Sequence, residues 1–190
     1  PPPRPPQEVR EALPGLRQSK LCIGLRSPIR LQDSRYWDFL LMHGILGGFP
    51  HSKLFRNVRE AAGLCYDASS SIERFKGLLF LFAGIDAENF ARTRDLCLAQ
   101  LEAIARGEVS AEELENTRLG YVQAYRGLLD SPARVLNLDY VLRLGGRQST
   151  PQGLIEAVEG VELAGIQAAA EAMRLDTVYF LEPEEAMPCP

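Results

Sequence analysis

Alternation is the first signal along the chain. In "KLCIGLR", Leu21, Ile23 and Leu25 alternate with Cys22 and Gly24, a period of two that predicts a half-buried strand. The pattern then changes. In "DSRYWDFLLMHGILGG", apolar Tyr36, Trp37, Phe39, Leu40, Leu41 and Ile45 nearly encircle a helix, which predicts a buried one. Asp33 or Ser34 is its expected N-cap and Gly47-Gly48 its terminator. A second helix is predicted from about Ser52 to Ala62, with Gly63 in the left-handed position that ends it.

"LCYDASSSIERF" reads as a strand and "KG" as the turn of a hairpin. "GLLFLFAGI" returns as an apolar strand, covered on both faces or at least central in its sheet. An amphipathic helix follows, with Phe90, Cys97, Leu101 and Ile104 on one face and a close near Gly107. In "SAEE", Ser110 and Glu113 form a capping box. The helix it opens carries Leu114, Tyr121, Tyr125 and Leu128 and stops before Pro132. Further helical segments are predicted over 133–144 and over 151–173, the latter broken around Gly160, and "TVYFL" is a last strand. No internal repeat is visible.

Strands joined by a tight turn pair antiparallel, and the helices must cover a sheet face, so the class is α+β. The predicted core places Leu21, Ile23, Leu25, Leu79, Leu81, Val178 and Phe180 in one sheet, with Phe55, Leu101 and Leu114 on helices packed over it. The ends differ from this body. "PPPRPPQEVREALPG" reads as an extended proline-rich linker that forms neither helix nor strand, and the tail "EPEEAMPCP" as a frayed end. The expected boundaries are a linker over 1–18, a domain over 19–182 and a tail over 183–190.

Composition narrows the classes. A length of 190 residues suits one domain with a proper core, and 46% apolar and 24% charged residues are ordinary for a soluble protein. A net charge of −4 without a dense Lys/Arg cluster argues against nucleic-acid binding. No apolar run has the length of a membrane span, and no signal-peptide pattern opens the chain. Cys22, Cys65, Cys97 and Cys189 are scattered without a C-x-x-C pair, which favours reduced thiols and a cytoplasmic setting.

The chain offers little chemistry of its own. His43 and His51 stand eight residues apart across a Gly-Gly break, with no Glu at metal-ligand spacing, and read as structural or surface histidines. Nothing orients Cys65 and His51 as a catalytic pair, so Cys65 reads as a small buried thiol. "HGILGG" and "LRLGGR" lack the context of a phosphate-cradling loop, and there is no G-x-S-x-G. Glu112 and Glu113 fall on a solvated helix start, where negative charge suits the dipole. What remains is Arg59, in the last turn of the second helix, and Tyr66, seven residues on in the following strand. A guanidinium and a phenol could meet there at one sheet end. A dipole-favoured Arg and an ordinary strand Tyr explain the same residues.

The stretch "LGGFPHSKLFRNVREAAGLCYDASS" resembles the signature of the second, metal-free domain of insulinase/pitrilysin-type zinc peptidases, which include the mitochondrial processing peptidase. The glycine pair Gly47-Gly48, Ser52 before "LF", Arg59-Glu60 and Gly63-Leu64-Cys65-Tyr66 leading into a strand carry the likeness. "GLLFLFAGID" and the helices that follow continue it over roughly residues 19 to 182. The resemblance implies a two-layer α+β domain, with two such domains per half and two halves closing around a substrate peptide. It implies zinc in a partner domain or subunit bearing H-x-x-E-H, a motif this chain lacks. It also implies that Arg59 and Tyr66 bind substrate and stabilise the oxyanion at that partner's site.

"GGFPHSKLF" is most similar to the non-catalytic subunits of bacterial two-subunit enzymes. The implied partners are the N-terminal half of the same chain and a homologous zinc-bearing subunit. Two alternatives stay open: a domain of a chain with its own upstream H-x-x-E-H, and a structural module that has lost peptidase work. Because no three ligands converge in the sequence, the isolated chain is expected to retain no stoichiometric zinc after dialysis, which elemental analysis checks.

Overall fold

The computed structural model describes residues 5–184; residues 185–190 of the expected frayed tail, Cys189 among them, and the first four residues of the proline-rich opening lie outside them, while Glu182 and Pro183 belong to the last strand. Strands β1 (Gln7–Leu13) and β2 (Ser19–Arg26) come first, then helix α1 (Tyr36–His43). A π-helical turn, Gly44–Gly48, and a π-helical segment, Leu54–Ala61, lead into the hairpin β3 (Cys65–Glu73) and β4 (Leu78–Ile85). Helices α2 (Phe90–Ala105), α3 (Ala111–Arg126), α4 (Pro132–Leu144), α5 (Pro151–Glu159) and α6 (Leu163–Glu171) precede the last strand, β5 (Arg174–Pro183).

The five strands form one sheet in the order β1-β5-β2-β4-β3. The β1–β5 pair is parallel and the other three pairs are antiparallel. This is the predicted α+β class, mainly antiparallel, with helices on one face. Leu21, Ile23, Leu25, Leu79, Leu81, Val178 and Phe180 are all buried in the sheet. Leu101 is buried above them and Leu114 packs, half-buried, at the margin of the same core.

Four expectations are corrected. Residues 7–13 are not linker: Gln7 pairs with Thr177 and the ladder runs to Leu13 against Pro183. The prolines end at Pro6, so "QEVREAL" keeps every N–H for the ladder. Its charged side chains suit an edge strand; Glu8 pairs with Arg94, and the Arg10 guanidinium lies 4.2 Å from the Phe90 ring centre. Next, β4 is internal but covered on one face only. Phe80 and Phe82 stack 6.2 Å apart on the other, and Phe82 is 40% exposed. Third, Phe55 is not in the core; Leu54 and Val58 are buried in its place, and the half-buried Phe55 ring lies under the Arg59 guanidinium. Finally, α1 has no side-chain cap. Asp33 lies two residues before its N-terminal flank and accepts from the Arg35 N–H at 3.0 Å.

The capping box is present as read from the sequence: Ser110 Oγ accepts from the Glu113 N–H at 3.0 Å and the Glu113 carboxylate from the Ser110 N–H at 2.8 Å. Glu113, however, is not simply solvated. Its carboxylate also meets Lys53 Nζ at 2.9 Å, and Lys53 is 8% exposed. Burial opposes the charge of Glu113, yet the Ser110 N–H and the Lys53 ammonium hold its carboxyl below the usual range.

Leu81 lies between β2 and β3 on the covered face, paired with Ile23 and Ser70. Leu81→Ala should lower unfolding stability by about 2–5 kcal/mol, as other buried Leu truncations do. Urea melts of the two proteins measure it.

Candidate functional site

The segment from His43 to Tyr66 is held between β3 and α3. Gly47 allows the approach: a Cβ there would stand 2.7 Å from Ser70 Oγ and 2.8 Å from the Ser70 backbone nitrogen. Gly44 and Gly120 open similar room, the first for Thr117 and Tyr121 and the second for the Phe49 ring. Into this space His43 brings both ring nitrogens: Nε2 lies 3.1 Å from the Ser70 carbonyl and Nδ1 3.2 Å from the Tyr121 hydroxyl. The Tyr121 hydroxyl also lies 3.0 Å from the Leu40 carbonyl, so its single proton is shared between that carbonyl and His43 Nδ1.

Burial pushes the His43 pKa down. A neutral ring then carries its proton on Nε2, the nitrogen facing a carbonyl that can only accept. The next turn is pinned in the same way. Phe49 and His51 stack 5.2 Å apart, Phe49 meets Tyr121 edge-on at 4.9 Å, and His51 Nε2 lies 3.2 Å from Thr117 Oγ1.

From this seat the segment runs to Arg59 and Tyr66. Gly63, at a φ of +62°, ends the helical winding and turns the chain into β3. Here period two breaks. Cys65 is opposite Ile85, but Gly84 is opposite Asp67, so Tyr66 is an extra residue, a β-bulge on the edge strand. The bulge keeps Cys65 and Ala68 both inside while Tyr66 and Asp67 both face out. Tyr66 is 71% exposed.

Arg59 is also exposed, on the helical segment that packs against β3, and its guanidinium lies 4.3 Å over the Phe55 ring. Both residues flank Cys65, whose thiol pKa burial and Asp67 raise while the Arg59 charge opposes them. Among the described residues, no carboxylate reaches Arg59 within ion-pair distance and the Tyr66 hydroxyl has no hydrogen bond. The bulge was missed in the sequence, although Tyr66-Asp67 between apolar Cys65 and Ala68 is its signature.

The same geometry tests a metal. His43 has both nitrogens committed and buried, and the Nε2 of His51 faces Thr117. Among the described residues no group of three His, Cys, Asp or Glu is placed to hold an ion. The residues present do not fit zinc. Nor do they form a nucleophilic pair: burial drives the Cys97 thiol up to about 12, and Cys22, Cys65 and Cys97 are free thiols.

Residues 1–121 match the family model described as the peptidase M16 inactive domain. The chain belongs to that family. The M16 inactive domain described here is 34% identical over 170 residues to the "probable inactive metalloprotease YmfF" of Bacillus subtilis, covering 90% of this chain and 40% of that protein. It is 30% identical over 159 residues to an uncharacterized zinc protease of Mycobacterium tuberculosis, covering 80% of this chain and 35% of the relative. The chain thus spans about two-fifths of the length of the curated relatives it matches. A conserved protein from Enterococcus faecalis V583 superposes with a TM-score of 0.87 at 35% identity, over 96% of this chain and 43% of that one. A peptidase M16 inactive domain from Pseudomonas fluorescens shares the fold, with a TM-score of 0.71 at 18% identity over 97% and 45% of the two chains.

His43 gives a pH test. Its folded pKa lies below the ordinary imidazole value, so its contribution to stability is complete above that value and declines as pH falls through it. Unfolding stability of the M16 inactive domain should therefore drop on acidification from about pH 6.5, and His43→Gln should flatten the slope. Denaturant melts across that range give the answer.

Proposed function

We propose that this domain presents Arg59 and Tyr66 to a peptide bound at a zinc centre held by another domain or subunit, as a non-catalytic part of an insulinase-type metallopeptidase. The observation that carries the reading is the pair itself. A bulge turns Tyr66 outward and a helix that packs on the same strand exposes Arg59, and among the described residues neither is engaged by a carboxylate or a hydrogen bond. The Arg59–Phe55 stacking does not oppose this, because an exposed cation–π contact contributes only about 0.5–1 kcal/mol. A two-pronged guanidinium and a phenolic hydroxyl are both donors. They suit a peptide carbonyl and the oxyanion that develops on it during attack.

In this reading the chain's partners are an adjoining N-terminal half and a homologous zinc-bearing subunit, with the free thiols Cys22, Cys65 and Cys97 supporting a reducing, cytoplasmic setting. A domain of a chain with its own H-x-x-E-H would use the two residues identically. One observation favours a second reading, a structural subunit without peptidase work: the 34%-identical Bacillus relative carries "inactive" in its name.

Arg59→Ala and Tyr66→Phe, each made in the complete protein and assayed with its zinc-bearing partner, should each lower peptide turnover by about 10²–10³. Thermal stability and subunit pairing should be unchanged, since both side chains are exposed. The double variant should lose less than the product of the two factors, because both donors act on one oxygen. Full activity in both single variants would establish the structural reading in place of this one.

A further inference from the structure

Arg74 opens the turn between β3 and β4, and its backbone is fixed there: the carbonyl accepts from the Leu31 N–H at 2.8 Å. Its side chain is a different matter. The residue is half-buried, yet among the described residues no carboxylate pairs with its guanidinium and none of its N–H groups donates a hydrogen bond. The groups that feel its charge are Tyr36, His43, Tyr121 and Tyr125. Burial keeps all four uncharged, so none is a counter-ion.

The adjacent carboxylate, Glu73, is spent on the turn, where it accepts from the Lys76 N–H at 2.6 Å and the Phe75 N–H at 3.2 Å. A cation held partly out of water with no anion loses solvation without compensation. Something of opposite charge would restore it.

The space for such a group is present. A cavity of about 570 Å³ separates the hairpin turn from α3 and α4. This is within the range of small-molecule sites. Ile72, Phe75, Leu128, Leu138 and Val141 form its apolar walls, Arg74 and Glu73 one rim, and Arg134 and Asn137 the other. Tyr125 also lines it, and among the described residues its hydroxyl has no hydrogen bond. Arg134 is exposed and, like Arg74, has no ion-pair partner among the described residues.

Two guanidinium groups and one carboxylate leave a single positive charge over an apolar floor. We propose that this cavity binds an apolar carboxylate, with the body of the ligand against Phe75, Leu128 and Val141 and its carboxylate between Arg74 and Arg134. A monoanion balances the charge, and the fork of a guanidinium matches a carboxylate with two parallel hydrogen bonds. A phosphate dianion would bring excess charge and leave the apolar walls without a partner. The same chemistry is offered by a free aliphatic or aromatic acid and by the C-terminal carboxylate of a peptide ending in an apolar residue.

Calorimetric titration of the full chain with phenylpropionate, phenylpropionamide, and a short peptide ending in phenylalanine with a free or an amidated C-terminus tests the site. Each acid should bind at least about tenfold more tightly than its amide, and Arg74→Met should weaken the acid by about ten- to a hundredfold, the loss of a charge-assisted pair. Arg134→Gln, an exposed change that leaves folding intact, should weaken it severalfold, while Arg74→Lys, which keeps the charge and loses the fork, should weaken it less than Arg74→Met. Tighter binding of the peptide acid makes a peptide terminus the natural source, and tighter binding of phenylpropionate a free acid. Equal binding of acid and amide overturns the proposal. So does failure of every probe to bind at millimolar concentration, or unchanged binding in the Arg134→Gln and folded Arg74→Met variants.

Discussion

The bond from His43 Nε2 to the carbonyl of Ser70 ties α1 and the turn after it to the edge strand β3. Ser70 pairs with Leu81 in the neighbouring strand, so the tether reaches the internal strand β4 through one ladder. It works because Gly47 lets two backbones approach without an intervening Cβ, and because His43 is buried neutral, which makes one nitrogen a donor and leaves the other for Tyr121. From this corner the helical segment Leu54–Ala61 packs against β3, and the bulge at Tyr66 turns that side chain outward.

Burial is one-sided. The sheet covers Leu21, Ile23, Leu79, Leu81, Val178 and Phe180 with helices and leaves the aromatic pair Phe80 and Phe82 on its other face. Part of the polar interior is spent on structure. Lys53 and Glu113 pair with each other and share the cap of α3, and the thiol of Cys97 is too deep to ionise. In this M16 inactive domain the Arg59–Tyr66 junction and the Arg74 cavity lie at opposite ends of β3.

Much was legible without coordinates. The alternation in "KLCIGLR", the capping box at Ser110 and Glu113, and the glycines at 63, 77 and 107 each report a local requirement, namely one face buried, one orphan N–H satisfied, or one residue at positive φ. Such requirements are set within a few residues, so the local sequence holds them. Arg59 and Tyr66 could be singled out in the same way, from their spacing and from a resemblance carried by neighbouring residues.

Tertiary structure decided the rest, because the deciding partners are far apart along the chain. β1 becomes a strand only because β5, about 170 residues later, offers a free edge. The face of "GLLFLFAGI" that stays open is chosen by where the helices pack, since apolar residues occupy both faces in the sequence. His43 is a structural tether through Ser70 and Tyr121, 27 and 78 residues away. Arg74 is an ordinary turn arginine until α3 and α4 close a cavity beside it with no anion inside their own walls. Sequence alone determined most of the helices, strands and turns, though not β1, and which residues carry charge. Which of those charges are satisfied was settled by packing, because satisfaction depends on distances that only the assembled layers set.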